Sequence, residues 1–303
     1  YNSVVFLFFI IFALRFFGQG AMSHAGETTM ARYFGKNRGK AISVGTFGGM
    51  IGVMILPLIV VYFTKIIGWQ HVWLVASLSI LIFFLPLLFL SLQDQNIRHS
   101  NFTESIKDNE ESKRWKTREV VVDKKFYVYL PLSIATSFIG TGLTFHQIFI
   151  INQKGWTMDM LGSSYVFLGI FSIIGLIFGG PIIDKYNTKK IILFALLPLF
   201  LGVLTLIFFD SYYSMLVYMS LLGLNLGITA PFIGSLWAEL YGLESLGSVK
   251  ALLHACGVFA SALSPVIFGY IIDAGFGIVA ISVISLVIII VSTSLPIFYK
   301  HIE

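Results

Sequence analysis

Arg15 lies inside a long apolar run, residues 3–31, where a charge at the centre of a spanning helix is unfavourable by ~2.5–3.5 kcal/mol. Two roles fit a cation kept there. Either it faces a water-filled cavity and binds an anionic solute group, or it is held in a fixed pair or by carbonyls of a neighbouring helix. Gln19 falls on the same helical face, with Met22 and Gly26. His24 and Glu27 are three residues apart and can touch on a second face, beside Gly20 and Ser23. An imidazole next to a carboxylate is a proton carrier near neutral pH, whereas Glu27 close to a membrane interface would be hydrated there. Further along, Thr141, Thr144, Phe145, His146 and Gln147 form a polar knot in otherwise apolar sequence. His146 and Gln147 could donate hydrogen bonds to a substrate or to carbonyls of adjacent helices. Asn225 is a further candidate substrate contact. Like His254, it stands alone in its helix, where a packing role also fits.

These residues need membrane helices to position them. The chain of 303 residues is 57% hydrophobic and only 12% charged, too apolar for a water-facing surface. About 20 apolar residues cross ~30 Å of hydrocarbon. Nine stretches meet or approach that length: 3–31, 41–64, 71–92, 126–151, 160–183, 191–209, 213–238, 249–272 and 275–299. The expectation is an all-α polytopic membrane helix bundle. The polar stretch 93–125 separates residues 1–92, with three helices, from residues 126–303, with six. It carries eight Lys/Arg and seven acids and reads as a cytoplasmic linker, a solvated strand or surface helix.

The net charge of +5 would suggest nucleic acid in a soluble chain. Here seventeen of the twenty Lys/Arg fall in alternate loops, the linker and the final residues, a pattern that retains those loops in the cytoplasm. Nucleic-acid binding is therefore not expected, and the partner of the apolar surface is the lipid bilayer. The expected location is the plasma (inner) membrane, with the C-terminus cytoplasmic. Cys256, the single cysteine, cannot form an intrachain disulfide, and the six histidines lack ligand spacing, so no metal or other cofactor is expected.

Gly45, Gly48, Gly49 and Gly52 form one bare stripe that suggests close helix packing. An internal echo at an offset of 208 residues aligns Tyr33 with Tyr241, Gly39 with Gly247, Gly49 with Gly257 and Pro57 with Pro265. Repeated halves are how many secondary transporters are built. With an apolar helix at the very start, the echo leads us to expect a truncated form of two six-helix halves.

Three turns carry a resemblance. The first is Ala31-Arg32-Tyr33-Phe34-Gly35-Lys36-Asn37-Arg38-Gly39-Lys40-Ala41. The second is Gly180-Pro181-Ile182-Ile183-Asp184-Lys185-Tyr186-Asn187-Thr188-Lys189-Lys190, and the third is Leu236-Trp237-Ala238-Glu239-Leu240-Tyr241-Gly242 with Leu246-Gly247. Together they resemble the signature turns of the major facilitator superfamily, the chain corresponding to that family's helices four to twelve. In the second turn Asn187 stands where the family has Gly, and Thr188 where it has a base. Gly18-Gln19-Gly20 followed by Arg32-Tyr33-Phe34 looks most like the monocarboxylate-porter branch. The resemblance implies a gate in which Asp184 meets Arg32 or Arg38, with Lys185 and Glu239 at the matched turns.

The reading is a secondary active transporter that moves a small polar or anionic organic solute by alternating access, coupled to a proton or another ion. The substrate-side residues are Arg15, Gln19, His146, Gln147 and Asn225, and the proton-side pair is His24 with Glu27. No Walker-type phosphate loop and no catalytic constellation is present, so it is not read as an enzyme. A transport-inactive member serving as sensor or remnant is the alternative, with a membrane enzyme behind it.

Overall fold

The computed structural model describes residues 4–22, 25–26, 38–92, 115–186, 188, 191–242 and 245–302. Within these, the side chains of residues 19–20, 38–44, 91–92, 184 and 300–302 lie outside the description. All regular structure among the described residues is helical. That outcome follows from the solvent: inside lipid each backbone N–H and C=O must be satisfied within the protein, and an apolar helix does so by itself.

Helix α1 (Val4–Ala13) continues into a π-helical stretch, Leu14–Ala21. Helix α2 (Arg38–Ser79) passes through a non-helical residue, Gly68, at φ 77° and ψ 156°. A positive φ is strained for residues with a Cβ, so the break sits at the glycine. A second π-helical turn, Ile80–Phe84, leads into α3 (Leu85–Leu92). Next come α4 (Thr117–Val122), α5 (Lys124–Phe145), α6 (Gln147–Lys154) and α7 (Met158–Tyr186). The chain ends in α8 (Ile192–Ala195), α9 (Leu197–Phe208), α10 (Tyr212–Tyr241), α11 (Leu246–Asp273) and α12 (Ile278–Ile302).

Among the described residues, six helical segments are long and apolar enough to cross a membrane: Gly45–Leu90, Lys124–Phe145, Met158–Ile183, Tyr212–Tyr241, Leu246–Asp273 and Ile278–Tyr299. Val4–Gly18 and Leu197–Phe208 are shorter. The expected runs 41–64 and 71–92 share the first of these, separated only by the Gly68 break. The run 191–209 is interrupted at Leu196, just before Pro198, whose ring cannot continue a preceding helix. In the linker, residues 93–114 lie outside the description, Thr117–Val122 form the short helix α4, and Lys124 and Lys125 already open α5.

The chain divides into two compact units, one of Tyr1–Gly49 and Phe63–Glu111, the other of Met50–Tyr62 and Ser112–Glu303. The first holds α1, its π-helical continuation, the two ends of α2 and α3. The second holds the buried core, with Trp237, Tyr241, Phe232, Phe268 and Leu199 all nearly or fully covered. Its outward faces remain apolar: Phe178, Val266 and Phe298 are 61%, 68% and 68% exposed, as suits a lipid-facing surface.

Within this second unit, α10 packs along α7 at a seam of small residues. A Cβ on Gly223 would collide with the Leu168 carbonyl oxygen, and one on Gly227 with that of Ser172. From the other side, a Cβ on Gly175 would stand 2.6 Å from the Leu224 carbonyl. Gly169 is covered by Met54, and Gly162 lies against Leu58 and Val61, so Met50–Tyr62 joins this unit through α7. The stripe read from the sequence behaves differently. A Cβ on Gly48 or Gly49 would meet no described atom within 4 Å, and one on Gly52 only Leu56 of its own helix.

One end of the second unit is tied by polar contacts between turns. The Lys154 ammonium bonds the Phe209 carbonyl at 3.0 Å and the Asp210 carboxylate at 2.5 Å, and Trp156 Nε1 donates to the Asp210 carbonyl at 2.7 Å. Gln153 Oε1 accepts from the Ile278 N–H at 2.7 Å. These bonds join α6 to the α9–α10 and α11–α12 turns.

Candidate functional site

The polar knot proves to be a break between two helices. α5 ends at Phe145, His146 adopts φ −91° and ψ 21°, and α6 begins at Gln147. The break turns two consecutive side chains toward different partners. His146 Nε2 lies 2.9 Å from the Pro265 carbonyl oxygen on α11, so Nε2 carries the proton in this contact. The ring lies over Gly269, where an added Cβ would stand in ordinary contact with Cε1 at 3.5 Å.

Gln147 is buried and joins two further helices. Its Oε1 accepts from the Tyr165 hydroxyl of α7 at 2.7 Å, and its Nε2 reaches Met219 Sδ of α10 at 3.7 Å. A thioether is a weak acceptor, so the Gln147 amide group is held much less firmly on the nitrogen side than on the oxygen side. Beside Met219, Tyr218 is 2% exposed and its hydroxyl has no hydrogen-bond partner among the described residues. The cluster is uncharged and has hydrogen-bond donors to spare.

Asn225 is fully buried and committed at both ends of its amide. Oδ1 accepts from Thr136 of α5 at 3.0 Å, and Nδ2 donates to the Ala195 carbonyl of α8 at 3.2 Å. This ties three helices together, away from the Gln147 cluster along α10.

Arg15 is half-buried in the π-helical stretch of the first unit, a geometry frequent at functional sites. Gln19 belongs to the same stretch, with its side chain outside the described residues. His24, Glu27 and Arg32 lie outside the described residues altogether, as do the side chains of Arg38 at the start of α2 and Asp184 in the last turn of α7. Lys185 is exposed, with its ammonium 5.2 Å from the Tyr186 ring centroid.

Glu239 is the best defined of the expected gating residues. Its carboxylate accepts from both the backbone N–H of Thr188, at 3.3 Å, and the Thr188 hydroxyl, at 2.5 Å. Thr188 stands where the resemblance leads one to expect a base, and the carboxylate meets a fully buried hydroxyl there. Two signature turns of the second unit are thereby joined.

Tyr165, Met219 and Thr136 are not singled out by the sequence, and Thr188 stands out there only as a departure from the motif. Ser163-Ser164-Tyr165 is a polar triplet in an apolar helix and marks Tyr165, but nothing local to Met219 or Thr136 announces a contact made across helices. Among the described residues no group of three or more His, Cys, Asp or Glu could hold a metal ion.

A family model described as Major Facilitator Superfamily matches residues 1–209 and again 132–303. The chain belongs to the major facilitator superfamily. It is thus an integral membrane protein of a transporter family whose substrates are small molecules. A search of curated proteins returned no match.

Proposed function

We propose that the protein is a secondary active transporter that moves a small polar or anionic organic solute by alternating access, driven by protons. Membership of the superfamily supports transport, and the Gln147 cluster supports the site. A buried, uncharged group with spare donors, next to a break between helices, can receive the oxygen atoms of a solute and change its hydrogen bonds as the helices move. His146 and Gln147 sit at that break, Asn225 fastens the helices behind it, and Arg15 and Gln19 offer a cation and an amide for an anionic group.

Proton coupling is assigned to His24 and Glu27 on their spacing of three residues. The gate is assigned to Asp184 with Arg32 or Arg38, and to Lys185 and Glu239 at the neighbouring turns. The monocarboxylate-like branch, a plasma-membrane location and a cytoplasmic C-terminus are part of the same proposal.

The observation that carries the reading is the pair of hydrogen bonds of Gln147, one accepted from Tyr165 of α7 and one donated to Met219 of α10. The test is uptake of radiolabelled organic acids and polyols into proteoliposomes with and without an inward proton gradient. Gradient-driven accumulation that Gln147→Leu abolishes is the expected result. Accumulation indifferent to the gradient removes the proton, and accumulation indifferent to Gln147→Leu removes the site.

A further inference from the structure

The last part of the linker is built into the second unit, and its outer face is dressed for a surface of opposite charge. Three contacts fix it. The Trp115 backbone N–H donates to Ser245 Oγ at 2.7 Å, and the Trp115 ring meets Tyr241 edge-on at 5.3 Å between centroids. The Tyr241 hydroxyl donates to Asp123 Oδ2 at 3.1 Å. Behind Tyr241, Trp237 stacks at 5.8 Å and donates through Nε1 to Ser133 Oγ at 2.8 Å, so the anchor continues into the bundle. Val120 points inward and is 1% exposed.

This anchoring determines what α4 shows outward. Residues one turn apart share a face, which places Arg118 with Val121 and Val122 opposite Val120. Val122 is 76% exposed, and Tyr127, in the first turn of α5, is 55% exposed. Lys116, Arg118 and Lys124 are exposed as well. Both acids of the segment are engaged locally. Glu119 accepts from the Lys116 backbone N–H at 3.0 Å, and Asp123 accepts from the Lys125 N–H at 3.0 Å and from Tyr241. The outward face therefore carries three bases, Lys116, Arg118 and Lys124, against one exposed acid, Glu119, and is otherwise largely aliphatic.

Its level is set too. Lys124 opens the spanning helix Lys124–Phe145, and the partners Tyr241 and Ser245 stand at the end of α10 and just before α11. α4 therefore lies across the ends of three helices long and apolar enough to span a membrane, a level that in a bilayer corresponds to the boundary between hydrocarbon and headgroups. A short helix with valines and bases on one face fits that boundary: the aliphatic groups sink toward the acyl chains and the bases meet phosphate.

We propose that Trp115–Lys124 is a docked interfacial segment that binds anionic phospholipid headgroups through Lys116, Arg118 and Lys124, with Val121 and Val122 in the bilayer surface. The binding is electrostatic, weakens with salt, and loses about fivefold in population ratio for each base removed.

The test places an environment-sensitive fluorophore on Val122→Cys in a Cys256→Ser background. The full chain is reconstituted in phosphatidylcholine vesicles with and without phosphatidylglycerol. The expected result is bluer emission and lower iodide quenching with phosphatidylglycerol, reversed by high sodium chloride and lost in the Lys116→Gln, Arg118→Gln, Lys124→Gln variant. The Glu119 contact to the Lys116 backbone does not depend on those side chains. Equal shielding in both vesicles overturns the proposal, and so does shielding that survives the triple substitution. Inorganic phosphate that displaces the probe as fully as salt does, at matched ionic strength, assigns the bases to a soluble phosphate and overturns the lipid. If the triple variant fails to reconstitute, the salt series on the parent protein decides alone.

Discussion

The Tyr165 hydroxyl donates to Gln147 Oε1 at 2.7 Å, binding α7 to the first residue after the break between α5 and α6. Gln147 is buried, so Tyr165→Phe leaves its carbonyl oxygen without a partner, a loss of about 1–3 kcal/mol. In the transport reading the amide also loses its orientation. The expected outcome is a lower thermal midpoint together with a weaker apparent affinity for the solute. Gln147→Glu keeps an acceptor for the tyrosine but places a carboxyl in a buried, uncharged setting, so it should lose stability as well as affinity. Thermal unfolding in detergent and saturation curves in proteoliposomes separate the two effects. Unchanged affinity in Tyr165→Phe removes the pair from the site.

Glu239 accepts two hydrogen bonds from Thr188, and hydrogen bonds to charged groups contribute about 1.5–3 kcal/mol. Thr188→Val removes the hydroxyl contact and leaves the backbone one, so a destabilisation near the lower end is expected. Glu239→Ala removes both and should be the more damaging. Proteolysis of the Tyr186–Ile191 turn in detergent-solubilised protein measures the difference. Equal cleavage rates in the two variants would show that the carboxylate does not hold the turn.

The polar ends of the helices and the membrane class were legible in the sequence, because apolar length and the placement of bases are local properties. The break at His146 was legible only as a cluster. His146 and Gln147 were marked as able to bond substrate or neighbouring carbonyls, and Pro265 supplies such a carbonyl. Thr188 was marked only as a departure from a motif, since its partner lies 51 residues away. Tyr165 and Met219 escaped for the same reason, because cross-helix partners are set by which faces meet. The glycine stripe at 45–52 shows the converse. Small-residue spacing identifies a face that permits close approach but does not say which helix uses it.

Asn225 differs from Gln147 in having strong partners at both ends of its amide. Asn225→Leu leaves the Thr136 hydroxyl and the Ala195 carbonyl without this partner inside the packed unit, and a loss of about 2–4 kcal/mol is expected from the two orphaned groups. Asn225→Asp keeps the Thr136 contact and loses the donor to Ala195, at the added expense of a buried charge. A stability defect in both variants, with normal affinity in whatever fraction folds, assigns Asn225 to the scaffold. Altered affinity at normal stability assigns it to the solute.

The α7–α10 seam gives the sharpest structural prediction, because its residues touch backbone. Gly223 and Gly227, four apart on α10, face the carbonyls of Leu168 and Ser172, and backbone cannot step aside as a side chain can. Gly223→Ala and Gly227→Ala should each force the helices apart, at about 1–3 kcal/mol of overpacking strain and with lower yield of folded protein. Gly140 is also in a spanning helix, but a Cβ there would meet nothing within 4 Å. Gly140→Ala is therefore expected to be neutral or slightly stabilising, since alanine favours helix over glycine. Thermal unfolding of the three variants in one detergent checks this, and equal midpoints would mean that the seam is looser than the contacts require. A seam this close also limits how α7 and α10 can move. They are expected to travel as one body during transport, so a disulfide engineered between their facing positions should leave uptake intact.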